Sequence, residues 1–289
     1  MHLPDFEYHT PGSLAEACTL LDSLGEKATV LAGGTDVLHK MKVGKLAPEH
    51  LVSLKYLDEL REIRYEPSRG IVVGSLASHN AIYTSQLLQE RYLCLPMAAH
   101  TMASNQICNM GTVGGNIVNG VPSADLPPIL IALNASIRLV STRGERSMAL
   151  EDFFHGAAQT VIAPGEILAD ITIPDQATTG STYLKFGLRR SGALAVVGVA
   201  ASVTVEGDTL RDLRIVLASS APTVMRARDA EDHLRGRKIS EALIAEAGAR
   251  AAAESRPRDS IRGSAEYRRN LVEVLTKRAL RKAVDEGHV

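Results

Sequence analysis

Residues 105 to 128 read NQICNMGTVGGNIVNGVPSADLPP, the densest run of backbone punctuation in the chain. Gly111, Gly114 and Gly115 carry no Cβ, so the backbone there can approach a bulky ligand or another strand closely. Thr112, Asn116 and Asn119 flank them with short hydrogen-bonding side chains. The same residues would also build a tight packing corner between two domains. Asp125 follows between Pro122 and the Pro127-Pro128 pair, which holds one carboxylate rigidly. That carboxylate can accept hydrogen bonds from a ribose or an amide, or it can cap a helix.

A second corner lies earlier, in TVLAGGTDVLHKMK, residues 29 to 42. An apolar strand runs into Gly33-Gly34-Thr35-Asp36 and then into a segment with helical spacing. Such a corner exposes backbone N–H groups where a helix begins, and these favour a phosphate. A plain turn satisfies the pattern equally, with glycine supplying positive φ and Thr or Asp an N-cap.

At 289 residues the chain exceeds the ~250 at which single cores stop growing, so two or three domains are expected. Its 32 basic and 33 acidic residues leave a formal charge of -1, and the Arg-rich stretches are interleaved with Glu and Asp. Binding to nucleic acid or anionic lipid is therefore not expected. The N-terminus carries neither a basic leader nor an apolar signal core, and no window approaches a membrane span, so a soluble cytoplasmic protein is expected. Cys18, Cys94 and Cys108 are scattered and odd in number; neither a disulfide framework, an iron–sulfur cluster nor a metal-ligand set is anticipated. With no Trp and 4% aromatic residues, the core should be aliphatic.

The chain divides into three blocks. SLAEACTLLDSLG predicts a helix ending at Gly25, ATVLA a strand, and IRYEPSRGIVVGSLAS two strands about a turn. NAIYTSQLLQERYLCLPMAAHTMAS has a helical pattern interrupted by Pro96. ILIALNASIRLV and EILADITIP read as strands or core segments. The last block suggests three strands, with a hairpin at Gly207-Asp208, followed by helices whose arginines are read as solvated faces or i,i+4 pairs. Strands followed by helices indicate an α+β module.

Together these features resemble the FAD-binding, or medium, subunit of the molybdenum hydroxylases, the group of xanthine dehydrogenase, carbon monoxide dehydrogenase and 4-hydroxybenzoyl-CoA reductase. AGGTDVLHKMK, QICNMGTVGGNIVNGVPSADLPP, GEILADITIP, YLKFGLRRSGALAVVGVA, APTVMRARDAE and SAEYRRNLVEVLTKRAL carry the resemblance over almost the whole chain. It implies an α+β fold: an FAD-binding domain of the vanillyl-alcohol oxidase type over 1–176, made of two subdomains meeting near 55–60. A C-terminal domain over 177–289, a three-stranded sheet with a helical bundle, should follow.

By the same resemblance, Val30, Leu31, Ala32, Gly33, Gly34, Thr35, Asp36 and Val37 form a first pyrophosphate loop, with Asp36 capping the next helix. Gly111 opens a second loop of Thr112, Val113, Gly114, Gly115 and Asn116. Asp125 and Met102 contact FAD, Leu168 lies beside the flavin or adenine, and Lys185 is a cation near the isoalloxazine ring. No catalytic acid or base is implied, because a flavin carries the chemistry and the protein supplies position and electrostatics. His39, His79 and His100 lie near these motifs and are read as packing or capping residues.

The implied partners are a small subunit with two 2Fe-2S clusters and a large molybdenum-cofactor subunit, in a dimer of heterotrimers that delivers electrons to NAD or a quinone. Three departures qualify this. Carbon monoxide dehydrogenases usually carry His-Ser where this chain has Thr35-Asp36. Many relatives place an Asp before the LAVVGVA strand, where this chain reads RRSGALAVV. The Cys-rich insertion of the 4-hydroxybenzoyl-CoA reductases is missing. A stand-alone FAD/NAD(P)H oxidoreductase akin to cell-wall precursor reductases would use the same two loops. A non-enzymatic interaction protein would use them only as packing corners.

Overall fold

The computed structural model describes residues 3–189 and 191–286. The chain begins with β1 (Glu7–His9), α1 (Leu14–Leu24), β2 (Ala28–Leu31), α2 (Val37–Lys42) and β3 (His50–Ser53). Ser13 caps α1, its Oγ accepting from the Glu16 amide at 3.1 Å, and Gly25 ends it at φ 56°. Helix α1 buries Ala17, Cys18 and Leu21 against a parallel sheet ordered β1-β3-β2. Connections between parallel strands need a crossover, and α2 with its flanking loop supplies the one from β2 to β3.

Next come β4 (Ile63–Glu66) and β5 (Gly70–Gly74), then short helices α3 (His79–Thr84), α4 (Gln86–Arg91), α5 (Cys94–His100), α6 (Asn105–Met110), α7 (Val113–Val118) and α8 (Leu126–Ala132). Pro96 does not interrupt the helical stretch as expected. It is the third residue of α5, in the first turn, where a missing N–H costs nothing. The breaks fall instead at Ser85, which caps α4, and at Tyr92-Leu93. ILIA, read as strand or core, belongs to α8, which is buried along its whole length, and Asn134 at φ 56° turns the chain into the next strand.

That strand is β6 (Ser136–Ser141), followed by β7 (Gly144–Ala149), β8 (Phe154–Gly156), β9 (Gln159–Thr160) and β10 (Ile167–Ile173). The antiparallel order β4-β5-β10-β6-β7 forms a five-stranded sheet, and β8 pairs with β9. The remainder comprises β11 (Gly180–Phe186), β12 (Val197–Glu206), β13 (Thr209–Ala218), β14 (Met225–Arg226), α9 (Arg228–Leu234), α10 (Glu241–Glu254) and α11 (Ala265–Glu286). The hairpin at Gly207-Asp208 is present, with Glu206 opposite Thr209. The C-terminal sheet has four strands rather than three: Met225 and Arg226 pair with Leu217 and Val216, a two-residue edge too short to carry a hydrophobic period.

Three aliphatic cores result, one for each of the three larger sheets. The middle core also takes in Tyr183, Ala200 and Val216 from the C-terminal strands and Val224 from the loop before β14, because α8 packs between the two layers. Not every arginine of the helices is solvated: Arg268 on α11 is buried, donating to the Val196 carbonyl at 2.8 Å and to Ser260 Oγ at 2.6 Å.

Candidate functional site

The two glycine corners meet. Gly33 packs against the end of α6 so closely that a Cβ on it would fall 1.9 Å from the Met110 carbonyl oxygen and 3.0 Å from Gly111 Cα. Gly34 adopts φ 78°, in the left-handed region. A Cβ on Gly114 would lie 2.6 Å from Ser75 Cβ. The packing requirement therefore accounts for these glycines, and the same corners wall a cleft of about 650 Å³. That volume lies in the range of ligand sites, roughly 300–1,000 Å³.

The cleft brings together Val30, Ala32, Gly33, Gly34, Thr35, Asp36 and Val37 from the first corner and Gly111, Thr112, Gly114, Gly115 and Asn116 from the second, with Met102, Asp125 and Leu168. Leu31, Val113 and Lys185 do not line it. Val113 is buried beneath its corner, Leu31 sits under Gly34, and Lys185 faces a neighbouring groove. Residues not singled out as cofactor contacts also line the cleft: Ser75, Leu76 and His79 from the end of β5 and start of α3, Lys40 and Asn119 on a rim. The GSLASH run, with Ser78 capping α3, was the available signal for the first group.

The corners differ in what their amides do. Those of Val113 and Gly114 donate to the carbonyls of Ala77 and Ser75 at 3.0 and 2.8 Å. Those of Gly115 and Asn116 donate to Thr112 Oγ1 and Thr112 O at 3.1 and 3.0 Å. The consecutive N–H groups of Gly33, Gly34, Thr35, Asp36 and Val37 have no hydrogen-bond partner among the described residues. A run of unpaired donors along one wall is a cradle for an anion. Asp36 does not cap α2: its backbone is already helical, at φ -96° and ψ -46°, and its carboxylate instead accepts from Asn119 Nδ2 at 3.1 Å. Asn119 Oδ1 in turn accepts from Lys40 at 2.8 Å, tying the corners together across the rim.

Asp125 stands at the start of α8 but makes no capping bond. Its carboxylate accepts from Tyr183 Oη at 2.8 Å and from Lys185 Nζ at 2.7 Å. Burial pushes the Asp125 carboxyl up, while Lys185 and Tyr183 pull it down. Burial and the Asp125 charge raise the Tyr183 hydroxyl well above its usual value, so it stays a donor. Lys185, pinned also to the Thr101 carbonyl at 3.2 Å, is thus a compensated cation.

Three buried polar atoms of cleft-lining residues have no partner among the described residues: Ser75 Oγ, His79 Nδ1 and Asn116 Oδ1. Burial lowers the His79 imidazole to about 4, so it is neutral at pH 7. Orphaned groups of this kind are uncommon in folded proteins and call for a partner. Unpaired backbone donors, largely apolar walls and unsatisfied polar atoms together give the cleft the chemistry to hold a phosphate-bearing ligand.

Sequence comparison agrees. Residues 4–176 match the FAD binding domain in molybdopterin dehydrogenase, and residues 182–283 match the CO dehydrogenase flavoprotein C-terminal domain. The chain is 36% identical over 281 residues to the carbon monoxide dehydrogenase medium chain of Hydrogenophaga pseudoflava, covering 97% of each. It is 30% identical to the glyceraldehyde dehydrogenase medium chain of Sulfolobus acidocaldarius, covering 97% of this chain and 99% of that one. The solved carbon monoxide dehydrogenase from Hydrogenophaga pseudoflava superposes with a TM-score of 0.95 at 35% identity, covering 99% of both chains. The chain belongs to the FAD-carrying medium subunits of the multi-subunit molybdenum hydroxylases, and its cofactor is FAD. That membership favours an electron-transfer subunit over a stand-alone reductase. Among the described residues no helix is long and apolar enough to cross a membrane.

Proposed function

We propose that FAD lies along this cleft with its diphosphate against the amides of Gly33 to Val37, while the second corner serves chiefly as a shaped wall. The observation that carries this is the difference between the corners: among the described residues the amides of Gly33 to Val37 have no partner, while those of Val113 to Asn116 are engaged. Bound FAD supplies the exchange between single-electron and paired-electron carriers. The chain's own residues bind and orient it. The free amides offset phosphate charge, and Ser75, His79 and Asn116 offer unpaired polar atoms. Leu168 and Met102 present apolar surface, and Asp125 with Lys185 holds a nearly neutral buried pair beside the cleft.

In this reading residues 1–176 form a two-subdomain FAD domain of the vanillyl-alcohol oxidase type, with the subdomains meeting near 55–60, and 177–289 form the C-terminal domain. The partners are a small subunit with 2Fe-2S clusters and a large molybdenum subunit, in a cytoplasmic dimer of heterotrimers. Electrons pass from the clusters through FAD to NAD or a quinone. The medium-chain names of the relatives support a small and a large partner. The organic substrate binds another polypeptide, and Thr35-Asp36 in place of His-Ser argues against carbon monoxide.

Competition by cofactor fragments tests the cradle. Several charge-assisted hydrogen bonds at roughly 1.5–3 kcal/mol each predict that riboflavin, lacking phosphate, binds at least about a hundredfold more weakly than FAD. ADP should compete with FAD. Equal affinity for riboflavin and FAD, with no competition by ADP, would overturn the assignment.

A further inference from the structure

Away from the cleft, the N-terminal sheet assembles a second constellation that the flavin reading does not use. Glu7 and His9 lie two residues apart on the edge strand β1 and so share one face. His50, on the central strand β3, stands opposite Glu7 in the parallel register. Their donor atoms converge: His9 Nε2 to His50 Nδ1 is 3.1 Å, His50 Nδ1 to Glu7 Oε2 is 3.4 Å, and His9 Nε2 to Glu7 Oε2 is 3.8 Å. We propose that Glu7, His9 and His50 form a zinc site that clamps β1 to β3.

The carboxylate contacts are ion pairs when an imidazole is protonated, and with neutral imidazoles the same spacing suits a shared cation. His9 and His50 share one hydrogen bond, but neither carboxylate contact is one, so hydrogen bonding explains only the shortest edge. A triangle with these three edges has a circumradius of about 2.0 Å, that of one face of a tetrahedron whose Zn–N and Zn–O bonds are about 2.1 Å. Tetrahedral ligands at that bond length stand about 3.4 Å apart, close to the mean of the observed edges. Octahedral neighbours would stand only about 3.0 Å apart, which disfavours Mg²⁺ and Mn²⁺, as does the pair of imidazoles. The imidazole side chains are 25% and 16% exposed and the carboxylate 74%, so two ligands are held by packing while the third reaches in from solvent. No other group of three such side chains meets this spacing among the described residues.

The test uses the full FAD-loaded chain, freed of any affinity tag and stripped with chelator. Titration with Zn²⁺ by calorimetry should show one saturable site, and Co²⁺ should give the intense visible absorption of a tetrahedral complex. Zn²⁺ should also raise the melting temperature. His50→Ala and His9→Ala should each weaken Zn²⁺ binding at least about tenfold and abolish the Co²⁺ spectrum with FAD content unchanged. Glu7→Gln, at an exposed side chain, should weaken binding as well and serves as the variant least able to disturb folding. Absent binding, a pale octahedral Co²⁺ spectrum, or undiminished affinity in Glu7→Gln and both histidine variants would overturn the site. None of these outcomes bears on the flavin cleft.

Discussion

Gly33 and the Met110 carbonyl press directly together, leaving 1.9 Å where a Cβ would have to go. The contact joins the two glycine corners, so the cradle and its facing wall are one packed unit. Gly33→Ala should therefore destabilise the fold by about 1–3 kcal/mol, since backbone must move to admit the methyl group. Gly115→Ala is the internal comparison. Its Cβ would meet only Thr112 Oγ1, at 3.0 Å, and helix α7 gains from alanine, so its stability should stay within about 1 kcal/mol of wild type. Urea denaturation of both variants checks the difference.

Lys185 and Asp125 form a pair with side chains 8% and 7% exposed. Removing the cation in Lys185→Met leaves a buried carboxylate facing only Tyr183, at a cost of about 3–5 kcal/mol. Burial then pushes the Asp125 carboxyl up with no cation beside it to pull it down. The double variant Asp125→Asn/Lys185→Met should recover much of the loss. A double-mutant cycle by chemical denaturation measures the coupling.

His79 sets an acid limit. Its imidazole titrates at about 4 in the folded chain against 6.5 as its ordinary value. Between those values the unfolded chain binds more protons, so stability falls as pH drops from 6.5 towards 4. At 1.36 kcal/mol per unit the total is about 3 kcal/mol. His79→Gln should flatten the slope of unfolding free energy against pH over that interval, leaving the slope above pH 7 unchanged.

The cysteines should be inert in the native protein. All three are buried, and burial pushes the Cys94 thiol up to about 12. A thiol reagent at neutral pH should label none of them in the folded chain and all three in denaturant.

Much of this architecture was legible in the sequence because it rests on local signals. Ser13 and Gly25 bound α1, and the Gly207-Asp208 turn sets its hairpin, through interactions within a few residues. The two corners were legible as corners for the same reason. Which of them keeps free amides was not, because Ala77 and Ser75, the acceptors for Val113 and Gly114, arrive from a distant strand end. Asp125 was open between cap and ligand until Tyr183 and Lys185 came across from β11. Gly33 and Gly114 are packing positions, and the backbone that they bring close lines the cleft. Strand β14 escaped notice because two residues carry no period. The Glu7, His9 and His50 cluster did so because its members are joined only through the β1–β3 register.

A crystal structure of the FAD-loaded chain reads directly where the cofactor's diphosphate sits. Diphosphate oxygens within hydrogen-bonding distance of the Gly33 to Val37 amides, with the Val113 and Gly114 amides still bonded to Ala77 and Ser75, is the predicted result. A diphosphate bound elsewhere, with water along the first corner, would contradict it.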